Sequence, residues 1–114
     1  MKRTITSKEL AQWLKRNEKP LILDVRRAED KQADPTHVPG SSWRDPSKIS
    51  EWIEDLPPHA EVVLYCRQGR SISNSVLDAL RARGVNACFI EGGLNAWNEE
   101  MEAQGQPKPT SAGD

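Results

Sequence analysis

The sequence predicts an α/β fold, an open parallel sheet of about five strands with helices on both faces. Two observations carry this. Three short runs, Leu21-Ile-Leu-Asp-Val25, Val62-Val-Leu-Tyr-Cys66 and Ala87-Cys-Phe-Ile90, are almost continuously apolar rather than alternating. Strands buried on both faces of a parallel sheet read this way. The stretches between them place apolar residues at helical spacing, and strands that alternate with helices build βαβ units.

Along the chain, Thr4-Ile5 is a weak strand. Ser7 is the expected N-cap of a helix carrying Leu10, Trp13 and Leu14 at i, i+3, i+4. The run Leu21–Val25 is the second strand, and residues 26–41 read as a long charged loop ending in Pro-Gly. Ser42-Trp43 is a second weak strand. After Pro46 a short piece sets Ile49, Trp52, Ile53 and Leu56 on one face; Trp43 and Trp52 fit either core or rim. The clearest helix runs from about Ile72 to Arg83 with Val76, Leu77 and Leu80 inward. Gly84 ends it at the position where a left-handed backbone is wanted. Leu94, Trp97 and Met101 line a last helix that begins after the tight turn Gly92-Gly93. The chain therefore divides into one domain, residues 1–105, and a disordered tail, residues 106–114, which holds Gly, Pro, Ser and Thr without an apolar anchor.

With 114 residues the chain is long enough to bury a core. Its 16 basic and 17 acidic residues leave a net charge of −1, which argues against nucleic acid or an anionic membrane as partner. No apolar run approaches the roughly 20 residues of a membrane span, and the start, MKRTITSKEL, is not a secretory signal. Two cysteines make no disulfide framework, so free thiols in a reducing cytoplasm are expected. No metal site is expected either, because His37 and His59 are the only imidazoles and no paired ligand spacing exists.

Chemistry concentrates at Cys66. It closes the strand of Val62–Tyr65 and is followed by Arg67, Gln68, Gly69, Arg70 and Ser71, then a helix. In an open parallel sheet ligands bind beyond the carboxyl ends of strands. A loop wrapped around the cysteine turns backbone N–H groups inward, and the helix adds its positive end. Both favour an anion, first of all the cysteine's own thiolate. Gly69 permits close wrapping, and Arg67 and Arg70 add positive charge. Cys88 sits mid-strand in apolar context and reads as structural. Asp24 and Arg26, at the end of a central strand, either face the pocket or brace the loops by pairing. His37 reads as a hydrogen-bonded structural histidine, and Glu29-Asp30 as a solvated pair.

Four segments in order, Leu23-Asp-Val-Arg26, His37-Val-Pro-Gly40, Val63-Leu-Tyr-Cys-Arg-Gln-Gly-Arg-Ser71 and Glu91-Gly-Gly-Leu-Asn-Ala-Trp97, resemble a single-domain rhodanese over about residues 4 to 105. The resemblance implies a rhodanese-like five-stranded parallel sheet and a six-residue loop whose cysteine carries a sulfane sulfur as a persulfide. It implies no cofactor. It implies a small anionic donor such as thiosulfate, and cyanide or a thiol, including a protein thiol, as acceptor. Asp24 and Arg26 would mainly brace. Two departures bear on the acceptor: no aromatic follows Glu29-Asp30-Lys31, and Thr36 precedes His37 where Gly is common.

A cysteine phosphatase or arsenate reductase also sets a thiolate in an anion-binding loop. That loop follows C-x5-R, with the arginine clamping phosphoryl oxygens; here the sixth position after Cys66 is Ile72. A non-catalytic binding or redox-sensing module is the alternative from another class. It fits less well, because the cysteine and its cationic loop are retained and Cys88 is badly placed as a resolving thiol.

Overall fold

The computed structural model describes residues 2–68 and 71–105. In chain order the elements are β1 (Thr4–Ile5), α1 (Ser7–Trp13), β2 (Leu21–Asp24), α2 (Ala28–Ala33) and β3 (Ser42–Trp43). A 3-10 turn (Pro46–Lys48), α3 (Ile49–Trp52) and a second 3-10 turn (Ile53–Asp55) follow. Then come β4 (Glu61–Tyr65), α4 (Ser71–Ala82), β5 (Asn86–Ile90) and α5 (Gly93–Ala103). The sheet order is β1-β5-β4-β2-β3 and every pair is parallel. Leu21 to Asp24 register against Val62 to Tyr65 in the central pair.

Alternation along the strands divides the core in two. Leu23, Val62, Leu64 and Phe89 pack with Val76, Leu77 and Leu80 of α4 and with Trp52 and Ile53. On the opposite face Ile22, Val63, Tyr65, Cys88 and Ile90 pack with Leu10 of α1 and with Leu94 and Trp97 of α5. Trp52 is therefore core, and its indole N–H donates to the Asp45 carbonyl at 2.8 Å. Trp43 is half-buried, donates to the Arg26 carbonyl at 2.9 Å and carries the Lys31 ammonium 5.1 Å above its ring.

The element boundaries correct three expectations. Thr6, not Ser7, caps α1: its hydroxyl accepts from the Glu9 N–H at 3.0 Å while the Glu9 carboxylate accepts from the Thr6 N–H at 2.9 Å. This reciprocal box satisfies two otherwise orphaned donors. The charged segment after Arg26 is not all loop, because residues 28–33 form α2. The long helix is α4 over Ser71–Ala82, one residue earlier than expected at each end. Gly84 does end it with φ +79: its N–H donates to the Arg81 carbonyl and the Val85 N–H to the Leu80 carbonyl, both at 3.0 Å. That pattern closes the last turn on itself. The expected tail, residues 106–114, lies outside the described residues.

Candidate functional site

Chain connections leaving β2 run to β3 on one side, while those leaving β4 run to β5 on the other. The strand order reverses between the carboxyl ends of β2 and β4, which is where a crevice opens in such sheets. Cys66 is the first residue past β4, and it is 5% exposed.

A cavity of about 310 Å³ opens at Cys66. Arg67, Gln68 and Ser71 line it beside the cysteine, with Ile72 from α4 and with Arg27 and Asp30 from the start of α2. Ser71 and Ile72 begin a twelve-residue helix, so the positive end of α4 faces this space. The Arg67 guanidinium stands 3.8 Å from the Asp30 carboxylate, and both are partly exposed. The loop is also held from behind: the Leu94 N–H donates to the Cys66 carbonyl at 2.9 Å and the Asn95 N–H to the Arg67 carbonyl at 3.2 Å. The first turn of α5 thus fixes the backbone that presents the thiol. Gly92 makes this approach feasible, since it adopts φ +72 and a Cβ there would meet the Ala96 Cβ at 2.7 Å.

Of the residues singled out from sequence, the structure brings Cys66, Arg67, Gln68 and Ser71 around one cavity. Gly69 and Arg70 lie outside the described residues. Asp24 and Arg26 do not line it. They are buried and paired: Arg26 Nη2 lies 2.7 Å from Asp24 Oδ2, and Nε lies 3.0 Å from both carboxylate oxygens. Nη1 and Nη2 of Arg26 also donate to the carbonyls of Asp34 at 2.7 Å and Thr36 at 3.1 Å, respectively. Burial pulls this guanidinium's pKa down, yet the hydrogen bonds and charge of Asp24 outweigh it and hold the pKa above the ordinary value.

His37 is half-buried, with Nδ1 3.4 Å from the Pro35 carbonyl oxygen, and is absent from the lining of the Cys66 cavity. Cys88 is a free thiol packed in the core, and burial pushes its pKa up to about 11. Among the described residues no cluster of potential metal ligands occurs, and no helix is long and apolar enough to cross a membrane.

Sequence reasoning missed Arg27 and Ile72 as lining residues and placed Asp30 on a solvated loop. Recognition of α2 would have found Arg27 and Asp30, since three positions on a helix share a face.

The chain matches the model of the rhodanese-like domain over residues 6–100, and it belongs to that family. It is 31% identical over 101 residues to the probable adenylyltransferase/sulfurtransferase MoeZ of Mycobacterium tuberculosis. That match covers 87% of this chain, which spans about a quarter of the length of that relative (25%). Among solved structures, a rhodanese-related protein from Thermoplasma volcanium superposes with a TM-score of 0.75 at 24% identity, covering 94% of this chain and 97% of that one. A thiosulfate sulfurtransferase from Pseudomonas aeruginosa aligns with a TM-score of 0.71 at 26% identity, over 95% of this chain and 19% of its own. The rhodanese homolog of Thermus thermophilus is 30% identical, with a TM-score of 0.63, and the alignment covers 83% of this chain and all of that one (100%).

Proposed function

We propose that the protein is a sulfurtransferase that carries a sulfane sulfur on Cys66. The observation behind this reading is the contrast between the two cysteines. Cys88 is sealed in the core, whereas Cys66 opens into a cavity that two arginines and the positive end of α4 make favourable to anions.

The cycle has two displacements. The Cys66 thiolate attacks the outer sulfur of thiosulfate; the new S–S bond forms as the sulfur–sulfur bond of the donor breaks, and sulfite leaves with the electron pair. The Cys66 persulfide then gives its terminal sulfur to cyanide, forming thiocyanate, or to a thiol, forming a new persulfide, and the Cys66 thiolate is regenerated. Arg27 and Arg67 attract the donor, and the loop N–H groups hold the charged sulfur. Neither step needs a metal or a cofactor. Two free thiols suit a reducing compartment such as the cytoplasm.

Ile72 weighs against phosphoryl transfer. It occupies the position where the phosphatase loop has its arginine, and it lines the cavity with an apolar side chain.

The test is intact-protein and peptide mass spectrometry of reduced protein, before and after thiosulfate and then cyanide. One sulfur gained on the Cys66 peptide and removed by cyanide is the expected result. A folded Cys66→Ser variant should gain none; wild-type transfer by that variant would overturn the assignment. Failure of the wild type to load from thiosulfate or from a low-molecular-weight persulfide would instead favour a binding module.

A further inference from the structure

A second cavity, about 540 Å³, adjoins the one at Cys66 and shares Arg27, Ser71 and Ile72 with it. Its volume falls within the range of small-molecule sites and far exceeds what thiosulfate or cyanide needs. Ala28 and Glu29 of α2, Ser75 and Val76 of α4, and Asp45 to Ser47 complete its lining. The surfaces of Ala28, Pro46, Ile72 and Val76 make much of the lining apolar.

The two signs of charge are divided between the shared and unshared parts of the lining. Arg27 stands where the two cavities join, and Glu29 and Asp45 belong only to the second. Among the described residues neither Arg27 nor Glu29 makes an ion pair, in contrast to Arg67 and Asp30 at the mouth of the first cavity. Asp45 commits only Oδ1, which accepts from the Ser47 N–H at 2.9 Å and from the Ser47 hydroxyl at 2.7 Å. The groove thus has an unpaired cation in the part it shares with the sulfur-bearing cavity, and apolar surface and unpaired carboxylate oxygens in the part it does not share.

We propose that this groove seats the sulfur acceptor, and that the acceptor is a dipolar thiol of about dipeptide size. Its thiol enters the Cys66 cavity, a carboxylate next to that thiol meets Arg27, and a remote ammonium meets Glu29 and Asp45. This rests on the reading of Cys66 as the sulfur carrier. The acceptor thiolate attacks the outer sulfur of the Cys66 persulfide; its new S–S bond forms as the Cys66 S–S bond breaks, and the electron pair returns to Cys66 as thiolate.

Two isomers of equal mass and net charge test the order of charges. Glycylcysteine carries its carboxylate beside the thiol and its ammonium remote from it; cysteinylglycine has the reverse polarity. Protein loaded with thiosulfate is mixed with each, and the discharge of Cys66 is followed by mass. Glycylcysteine is expected to have the lower KM, by about five- to tenfold, since one isomer satisfies both ends and the other opposes them. The isomers also differ in thiol acidity, so the decisive quantity is how their KM ratio changes on substitution. The ratio should fall toward that set by thiol acidity alone in Arg27→Gln and in Glu29→Gln/Asp45→Asn. A ratio within one protein cancels any general loss of activity. Loading of Cys66 with a ratio that these substitutions leave unchanged overturns the acceptor site alone. No loading of Cys66 from either type of donor overturns the sulfurtransferase reading and this proposal with it.

Discussion

Arg26 places a full charge where only 1% of its surface meets solvent, two residues beyond a carboxylate that is itself buried. Removing such a charge from water is expensive, so the arrangement is tolerable only because each of the three guanidinium nitrogens finds an acceptor. Asp24 takes three side-chain contacts from Arg26, and the carbonyls of Asp34 and Thr36 take the rest. The result ties the end of β2 to the segment that follows α2. Arg26→Met should therefore cost about 3–5 kcal/mol, because it leaves Asp24 buried without its partner. Asp24→Leu/Arg26→Met should recover most of that loss. Urea denaturation of the two variants checks this; a double variant as unstable as the single one would show that the carbonyl contacts, not the stranded carboxylate, set the energetics.

At the scale of elements, α5 and α2 shape the site from opposite sides. The first turn of α5 holds the carbonyls of Cys66 and Arg67, and that approach depends on the left-handed Gly92. Gly92→Ala adds a conformational penalty of about 1–2 kcal/mol to the 2.7 Å collision with Ala96. It should lower both the melting temperature and the extent of sulfur loading, and Ala96→Gly in the same chain should restore only the part due to the collision. Helix α2 carries Asp30, whose carboxylate lies at the mouth and offsets Arg67. Asp30→Asn is expected to lower KM for thiosulfate by about two- to fivefold at low salt, and by less at high salt, because the pair is exposed and screened; steady-state rates at two ionic strengths measure it. These elements were unequally legible. The Gly92-Gly93 turn is visible in the chain, but the hydrogen bonds that Leu94 and Asn95 after it donate to Cys66 and Arg67 join residues far apart in sequence. Helix α2 escaped notice because Ala28 to Ala33 holds no large apolar residue, so no helical period marks it. Ser7 misled as a cap because Thr6 sits beside it, and only the pairing with Glu9 distinguishes them.

Taken as a whole, the molecule was most readable where burial repeats a pattern. Val62 to Tyr65 alternates between the two core faces, and Ile49, Trp52, Ile53 and Leu56 all pack on one of them. The long-range pairing that brings Arg27 to Cys66 has no such periodicity and emerges only from the sheet order. One consequence of the two-sided core concerns alkaline pH. Cys88 and Tyr65 are packed on the same face; burial pushes the Cys88 thiol from 9.0 to about 11 and the Tyr65 hydroxyl from 10.0 to about 12. Each folded-state pKa lies above the unfolded one, so the unfolded chain releases these protons first. The associated stability is complete below pH 9.0, shrinks as Cys88 approaches its folded value near 11, and is lost fully only as Tyr65 passes about 12. A shift of two units corresponds to about 2–3 kcal/mol per group. Lysines titrate in the same range, so the comparison must be between wild type and Cys88→Ala. The variant is expected to start less stable at neutral pH, because a buried side chain is trimmed, and to lose less on going from pH 9 to pH 11. Urea midpoints across that interval should therefore converge; parallel curves would mean that Cys88 does not carry the alkaline instability.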